Sequence, residues 1–377
     1  MKSDVLIIGG GVIGLSIARE LQKYGAGQIT IVERGETGRE SSWAAAGMLA
    51  PNAETHRDDD FYRFCLESNR LYPEFAAELL DETGIDVELD RSGTLYLAFT
   101  ESDASEISER YEWQHKSGLN VLRLTASEIR MTEPFVSPDV HEGLFFPDDW
   151  QVENRKLLQA LKRFAELNGI KIVNDAEIKS IKVDSGRATG AASDRTEFDA
   201  AVTVLATGAW TSFISIDKHA NPINVKPMRG QMGSFRTAKR LFQRVIYSPR
   251  GYLVPRADGR ILVGATVEDA GYDKRVTEAG LEYLRATADE IAPTLASLRI
   301  DETWAGLRPY AADGLPVIGE FPGVSDLYVA TGHFRNGILL APLTAKMVAE
   351  SIMNGGSQYQ WRRSAPQIFH PAAGSTR

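Results

Sequence analysis

A glycine-rich turn lies close to the beginning of this chain, within the stretch VLIIGGGVIGLSIARE at residues 5–20. The β-branched run before the glycines predicts a strand, and the apolar residues after them recur at helical spacing. Gly9, Gly11 and Gly14 have the spacing G-x-G-x-x-G. The first glycine permits a tight turn, the second lets the backbone approach a pyrophosphate, and the third lets the helix and strand pack closely. The turn therefore predicts a dinucleotide-binding βα unit.

An acidic residue after the next predicted strand supports this interpretation. Residues 28–32 are rich in β-branched side chains, and they are followed by Glu33 about twenty residues after the turn. A carboxylate at this position can accept hydrogen bonds from both ribose hydroxyl groups of an adenosine without a 2′-phosphate. A purely structural turn with a solvated Glu33 is the alternative. The fingerprint also does not separate NAD from FAD.

Composition argues against several other classes of function. Asp and Glu outnumber Lys and Arg by 51 to 42 in 377 residues, and no basic block could neutralise a nucleic-acid backbone. The single cysteine, Cys65, cannot form an internal disulfide, which favours the cytoplasm. The six histidines lack the spacing of metal ligands, so no metal site is predicted. No signal peptide or membrane-spanning segment is predicted either.

Strand and helix patterns predict an α/β fold assembled from distant parts of the chain. Patterns of the βα type predict one discontinuous nucleotide-binding domain from residues 1–85, 148–218 and 303–356. Two insertions, residues 86–147 and 219–302, are expected to pair into a mostly antiparallel sheet that carries helices and binds substrate. Residues 357–377 are expected to form an irregular tail. A reactive site would lie between the two domains.

Local signals add detail to this outline. Strand-like alternation is predicted over residues 85–99, and a hairpin is predicted around the turn residues Asp258 and Gly259. Pro73 is expected to kink or divide a helix that ends near Gly84.

Four stretches together resemble one enzyme family: DVLIIGGGVIGLSIARE, GRESSWAAAGMLAP, WAGLRPYAADGLPVIG and GHFRNGILLAP. The chain from residue 5 to about residue 353 is similar to the FAD-dependent amine oxidases of the D-amino-acid oxidase superfamily, most closely to the glycine oxidases associated with thiamine biosynthesis. The last two stretches are the more specific. The resemblance selects FAD over NAD and implies a Rossmann-like FAD-binding domain of the p-hydroxybenzoate-hydroxylase-like type.

The resemblance also implies which residues hold the cofactor. The glycine turn and Glu33 would bind the ADP half, the second stretch would line the flavin, and the helix opened by the last stretch would direct its positive end to the ring. Non-covalent FAD is expected, because Cys65 is far from the C-terminal cysteine that holds flavin in sarcosine-oxidase relatives. The implied cofactor-binding residues are Gly9, Gly11, Val12, Ile13, Gly14, Glu33, Arg34, Ser41, Ser42, Ala45, Ala46, Gly47, Met48, Ile178, Ala206, Gly208, Trp210, Arg308, Gly332, His333, Arg335, Asn336, Gly337 and Ile338.

For the substrate, the resemblance implies four polar residues. Arg308 matches an arginine that grips the carboxylate of an amino acid, a task suited to the planar guanidinium fork. Tyr252 matches a tyrosine that assists at the carboxylate, and Arg335 matches an arginine near the mouth of the site. Arg250 stands where some members have histidine, so a different substrate preference is expected. A structural ion pair, a half-buried strand aromatic and a surface charge are the alternative interpretations of Arg308, Tyr252 and Arg335.

The implied reaction is oxidation of a small amine next to a carboxylate. Hydride would pass from Cα to flavin N5, the imine would hydrolyse to the oxo acid and ammonia, and O₂ would reoxidise the flavin to give H₂O₂. Glycine, sarcosine and small D-amino acids are the implied substrates, and a homo-oligomer, a tetramer or a dimer, is expected. Three alternatives stay open: a dehydrogenase of the same fold with another electron acceptor, an NAD-dependent hydroxy-acid dehydrogenase, and a flavin-binding protein without turnover.

Overall fold

The structure, a computed structural model, describes residues 2–55, 57–217 and 221–357. Residue 357 aside, the expected tail lies outside the described residues. The α-helices assigned within the described residues are α1 (Val12–Lys23), α2 (Ser41–Ala44), α3 (Pro51–Glu54), α4 (Asp60–Thr83), α5 (Glu101–Lys116), α6 (Ala126–Thr132), α7 (Asn154–Leu167), α8 (Glu278–Ile291) and α9 (Gly337–Asn354).

The strands of the described residues form two large sheets and one small pair. They are β1 (Lys2–Ile8), β2 (Ile29–Val32), β3 (Met48–Leu49), β4 (Thr94–Ala98), β5 (Leu122–Thr125), β6 (Glu142–Phe146), β7 (Trp150–Gln151), β8 (Lys171–Val173), β9 (Ile178–Asp184), β10 (Arg187–Ser193), β11 (Glu197–Leu205), β12 (Ser215–Ile216), β13 (Val225–Arg236), β14 (Val245–Ser248), β15 (Gly251–Pro255), β16 (Arg260–Gly264), β17 (Glu302–Ala311), β18 (Val317–Glu320) and β19 (Leu327–Thr331). β3 and β7 pair with each other.

The first large sheet is built around the glycine turn. β1 pairs in parallel with β2 on one side and with β11 on the other, and β11 pairs in parallel with β19. Apolar side chains of α1, α4, α7 and α9 form one core with this sheet. All four residues of β2 are buried, as is typical of a parallel strand covered on both faces. The predicted α/β class and the Rossmann-like βα unit are confirmed.

The second large sheet has the strand order β17-β13-β16-β15-β14-β4-β6-β5. Its pairing is antiparallel except between β14 and β4, so strands from both insertions share a mostly antiparallel sheet. The boundary expected at residue 303 needs correction, because β17 pairs with β13 along its whole length. A long strand must satisfy its backbone N–H and C=O groups, and β13 supplies the partners. Residues 302–311 therefore belong to the second sheet.

Two local predictions differ in part from the structure, and one strand was missed. Pro73 does not divide α4, because Tyr72, Phe75 and Leu79 around it are all anchored in the same core. The strand-like alternation expected over residues 85–99 is limited to β4. The sequence analysis missed β10, whose sequence RATGAAS is rich in small residues with little β propensity.

Turn and cap signals were more reliable. β15 and β16 form the predicted antiparallel hairpin, with Gly259 at φ +86 in its turn. α4 ends at Gly84, which has the left-handed conformation with φ +72. In the three described segments, no helix combines the length and the apolar character that crossing a membrane requires.

Gly14 tests the close packing of α1 on the glycine turn. A methyl group added there would lie 2.0 Å from the carbonyl oxygen of Gly9, so the helix would have to move. We expect Gly14→Ala to lower the free energy of unfolding by about 1 to 3 kcal/mol and to reduce the cofactor retained on purification. Gly35→Ala, whose methyl would meet nothing within 4 Å, is the matched control. Equal unfolding midpoints of the two variants would contradict this packing.

Candidate active site

One cavity lies where the glycine turn, the first sheet and the second sheet meet. Its empty space, counted out to the open mouth, is about 2020 Å³. The residues implied by the family resemblance line it, except Gly14 and Gly332. Gly14 lies beneath the turn, and Gly332 follows β19 with φ +73. The structure thus brings together segments that are far apart in the chain, while the roles of the individual residues stay predictions.

The glycine turn forms one end of the cavity. Gly9 has φ +109, and a Cβ atom there would lie 2.3 Å from the carbonyl oxygen of Ala206. Gly11 and Val12 line the cavity at the N-terminus of α1, and the Val12 N–H donates to Oγ of Ser42 at 3.0 Å. Backbone amides and the positive end of the helix dipole favour an anion at such a terminus. This end of the cavity suits a diphosphate.

The Glu33 carboxylate lies at the end of β2 and is 8% exposed. Its Oε2 accepts a hydrogen bond from the Gly10 N–H at 2.8 Å, and its Oε1 accepts one from the Gly35 N–H at 3.2 Å. These bonds fix the orientation of the carboxylate, and each oxygen retains acceptor capacity. Glu33 lines the cavity, where this capacity suits the hydroxyl groups of a ribose.

Arg34 and Trp210 line the cavity together with Ile178. The guanidinium carbon of Arg34 lies 3.7 Å from the Trp210 ring centroid. Glu40, which the sequence analysis did not single out, forms ion pairs with Arg34 and Lys274. The stacked guanidinium and indole give this part of the cavity a flat, polarisable surface.

A buried arginine that the sequence analysis missed supports the loop expected to line the flavin. Arg256 donates to the carbonyl oxygens of Ala46 at 2.7 Å and Val152 at 2.8 Å. Gly47, which follows Ala46, has φ +71, and a Cβ atom there would lie 2.0 Å from the carbonyl oxygen of Val152. Glu153 balances the charge of Arg256, with an Nε to Oε2 distance of 3.4 Å. The loop conformation therefore depends on a residue of the hairpin turn region.

The N-terminus of α9 also opens on the cavity, which Asn336, Gly337 and Ile338 line. Because α9 is 18 residues long, a helix dipole places partial positive charge there. The ring of His333 is buried, and its Nε2 lies 3.1 Å from Oγ1 of Thr344. Burial lowers the pKa of His333 to about 3, so the ring is neutral near pH 7. The positive character of this end comes from the helix rather than from His333.

Arg308 lines the cavity from β17. Its Nη1 donates to the carbonyl oxygen of Thr266 at 3.0 Å, and no carboxylate of the described residues forms an ion pair with it. Burial lowers the pKa of Arg308, whereas the nearby Tyr252 hydroxyl raises it. A cation withdrawn from water without a carboxylate partner is stabilised when an anion binds to it. Its surroundings therefore suit Arg308 to binding an anionic group.

Tyr252 lies beside Arg308 and is 8% exposed. Its hydroxyl is 3.5 Å from Sδ of Met232, and its ring stacks on that of Tyr247 with centroids 5.9 Å apart. Burial raises the pKa of Tyr252 in spite of Arg308 and Arg335, which lower it. The hydroxyl therefore stays protonated near pH 7 and can donate to a ligand of Arg308.

Arg335 lies at the rim of the cavity, with 34% of its side chain exposed. Its Nη2 donates to Oε1 of Glu54 at 3.0 Å and to the Tyr247 hydroxyl at 2.5 Å. The Glu54 carboxylate raises the pKa of Arg335. The sequence analysis missed both partners, although Glu54 lies one helical turn beyond the family stretch that ends at Pro51.

Arg250 is placed differently from the expectation. It lines the rim, but its Nη1 and Nη2 donate to Asp103 at 3.0 and 2.6 Å, and its Nε donates to Glu290 at 2.6 Å. These carboxylates raise the pKa of Arg250. Because two carboxylates already balance its charge and accept three of its five N–H donors, the guanidinium offers a substrate carboxylate no uncompensated charge. We therefore leave Arg250 out of the proposed substrate site.

A buried aspartate supports the short helix that carries Glu54. Asp149 has no exposed surface, and it accepts hydrogen bonds from the backbone N–H groups of Asn52 at 3.0 Å and Ala53 at 2.7 Å. Both donors belong to α3, which ends at Glu54. Burial raises the pKa of Asp149 from its ordinary 3.8 to about 7. The position of Glu54 at the rim thus depends on a carboxyl group beneath it.

Comparison with known proteins assigns the family. The profile of the DAO family, described as FAD dependent oxidoreductase, matches residues 4–351. The chain belongs to the DAO family of FAD-dependent oxidoreductases. Its cofactor is therefore FAD, which confirms the choice of FAD over NAD.

Three DAO-family relatives illustrate the likeness. The chain is 33% identical over 356 residues to the glycine oxidase of Pseudomonas aeruginosa, covering 94% of this chain and 96% of that protein. It is 37% identical over 374 residues to the bifunctional protein ThiO/ThiG of Synechocystis, covering 97% of this chain but 54% of that protein. The crystal structure of glycine oxidase from Geobacillus kaustophilus has a TM-score of 0.90 at 32% identity, covering 99% of this chain and all of that one. The resemblance inferred from the motifs is confirmed.

The residues of the cavity fit the DAO-family cofactor. Glu33 would hold the ribose, the N-terminus of α1 would hold the diphosphate, and the loop around Gly47 would approach the flavin ring. The turns at Gly9 and Gly47 exclude side chains where a flat ligand must approach the backbone. Two helix N-termini meet the cavity, which suits a group that carries negative charge.

Gly230 tests the position of Arg308. It lies on β13 beside β17, and a Cβ atom there would lie 2.3 Å from Nη1 of Arg308. We expect Gly230→Ala to displace the guanidinium and to weaken binding of acetate by about tenfold, measured from the change in flavin absorbance. Gly233→Ala on the same strand is the control, since its methyl would meet only the flexible side chain of Ile300 closely, at 3.1 Å. Unchanged acetate binding in Gly230→Ala would show that the Arg308 guanidinium beside Gly230 is not the acetate site.

Asp149 predicts a pH dependence of stability. Its pKa is higher in the folded protein, about 7, than its ordinary 3.8, so the folded state binds this proton more tightly. The resulting stabilisation is fully present below pH 3.8 and is lost as the pH rises through about 7. We expect the free energy of unfolding of Asp149→Asn, measured with denaturant, to decline less than that of the wild type across this interval. Parallel pH profiles would contradict the raised pKa.

Proposed function

We propose that this protein oxidises glycine and other small amines and amino acids, including sarcosine and small D-amino acids, with O₂ as the electron acceptor. The products would be the oxo acid, ammonia and H₂O₂. The glycine oxidases of Pseudomonas aeruginosa and Geobacillus kaustophilus support this proposal, because the chain is 33% and 35% identical to them over more than nine-tenths of its length.

The observation that carries the proposal is Arg308, a cavity arginine without an ion-pair partner in the described part of the chain. Its guanidinium fork can bind both oxygens of a carboxylate, with roughly 1.5 to 3 kcal/mol from each charge-assisted hydrogen bond. The Tyr252 hydroxyl is available as a second donor beside it. Together they would hold the carboxylate end of an amino acid and fix the direction of its α-carbon.

Apolar residues around Tyr252 give the amine a suitable environment. Ala46, Met48, Met232 and Ala265 belong to the same apolar cluster. Exclusion of water by these side chains disfavours the ammonium form, so the bound amine loses a proton more readily. When bound, FAD supplies the acceptor for the electron pair and hydrogen that leave the α-carbon. Holding the substrate in a reactive orientation can supply roughly 7 to 11 kcal/mol of the barrier.

Replacement of Arg308 tests the proposed carboxylate site. We expect Arg308→Ala to lower kcat/KM for glycine by roughly a hundredfold or more, because two charge-assisted hydrogen bonds are lost. Arg308→Lys keeps the charge but not the fork, so an intermediate value is expected. Arg187→Ala is the control, since Arg187 is an exposed residue paired with Asp326 outside the cavity. An Arg308→Ala enzyme as efficient as the wild type would refute the assignment.

The electron acceptor is tested separately. The purified protein should consume O₂ and form H₂O₂ with glycine, sarcosine or a small D-amino acid in an air-saturated assay. Turnover only with an added dye acceptor, without peroxide, would instead identify a dehydrogenase of the same fold. Parallel anaerobic reduction of the flavin by each amine would rank the substrates independently of the acceptor.

A further inference from the structure

Four arginines line the cavity, and three of them form ion pairs with carboxylates. The pairs are Arg34 with Glu40, Arg250 with Asp103 and Glu290, and Arg335 with Glu54. Over residues 2–55, 57–217 and 221–357, Arg308 is the member of this set without such a partner. The cavity therefore offers one uncompensated cation to an anionic ligand.

Two stacked tyrosines connect the uncompensated cation to the rim. Tyr252 lies against Arg308, its ring stacks on Tyr247, and the Tyr247 hydroxyl accepts a hydrogen bond from Arg335. The charges of Arg308, Arg335 and Glu54 all act on Tyr252. A small molecule with two anionic groups could therefore direct one group to Arg308 and the other toward Arg335.

We propose that Glu54 restricts the substrates to monocarboxylates by occupying Arg335. This assignment of a substrate class rests on the proposed function. A first carboxylate binds at Arg308, but a second one meets the Glu54 carboxylate, which already accepts the hydrogen bond of Arg335. The two carboxylates repel each other, and because the Arg335–Glu54 pair as a whole carries no net charge, it offers a second carboxylate no net attraction.

The structure holds Glu54 in place for this role. Its side chain is 17% exposed, and it ends α3, whose N–H groups are bound by the buried Asp149. A free surface carboxylate could turn away from an incoming anion at little cost, whereas one on an anchored helix cannot do so without breaking its bond to Arg335.

Binding of non-oxidisable probes tests the proposal without turnover. The dissociation constants of acetate and malonate are measured on the FAD-loaded protein from the change in flavin absorbance. In Glu54→Gln, we expect malonate to bind roughly tenfold more tightly relative to acetate than in the wild type, because Arg335 regains an uncompensated charge. Glu290→Gln is the matched control: it removes one of the two carboxylates paired with Arg250, a cavity residue, but Asp103 still balances that arginine. An unchanged ratio in Glu54→Gln, or an equal change in Glu290→Gln, would overturn the proposal.

Further variants separate charge from a loss of structure. In the double variant Glu54→Gln/Arg335→Gln, the gain for malonate should disappear, because neither charge is left. If Glu54→Gln does not fold with FAD, Arg335→Gln carries the test. There Glu54 is left uncompensated near Arg308, and acetate should bind about threefold or more weakly. Unaltered acetate binding in Arg335→Gln would contradict the electrostatic argument.

A turnover assay relates the binding result to substrate choice. We expect Glu54→Gln to lower KM for iminodiacetate relative to KM for glycine, with a smaller change in the ratio of the kcat values. A wild-type protein that binds acetate but oxidises neither amine would refute the proposed function, while the ratio of malonate to acetate binding would still decide the role of Glu54. Oxidation of glycine with no shift in either ratio would refute the role of Glu54 alone.

Discussion

Close approach of backbone segments at a few glycines is the constraint on which the cavity depends. A methyl group at Gly9 would meet the carbonyl oxygen of Ala206, and one at Gly306 would lie 2.6 Å from Cβ of Ala44. The first contact joins the glycine turn to the first sheet, and the second joins β17 to the loop beside the flavin site. Because both contacts are this short, the N-terminus of α1 and Arg308 face one cavity although they are far apart in the chain.

Charge compensation then determines what each cationic side chain around that cavity can do. Arg256 and Glu153 are buried together, so their opposite charges support the loop at Ala46 instead of attracting a ligand. Arg335 is balanced at the rim by Glu54. In the part of the chain that the structure describes, Arg308 donates a hydrogen bond to the neutral carbonyl of Thr266 but forms no ion pair with a carboxylate. A half-buried cation in this state is stabilised when an anion binds, which suits Arg308 to the recognition role proposed for it.

The sequence predicted the parts of the site whose chemistry is local. The positions of Gly9 and Glu33 follow from a strand, a turn and a helix in succession, and the second and last family stretches both line the cavity. Residues that act through distant partners were missed. Arg256 supports a loop from another sheet, and Asp149 anchors a helix that precedes it by many residues. No spacing rule in a single sequence marks such pairs, because they depend on tertiary packing.

Tertiary contacts also changed two predictions that were made from the sequence, the role of Arg250 and the domain boundary at residue 303. By itself, the sequence determined the class of fold and the dinucleotide turn, since these depend on backbone conformation and residue spacing over short segments. The choice of FAD came from the resemblance of its motifs to one enzyme family. Only the tertiary structure decided that β17 joins the second sheet, that Arg250 pairs with two carboxylates, and that Arg308 pairs with none in the described part of the chain. The physical reason is that an arginine becomes a binding site or a structural ion pair according to which carboxylates the fold brings within hydrogen-bonding distance.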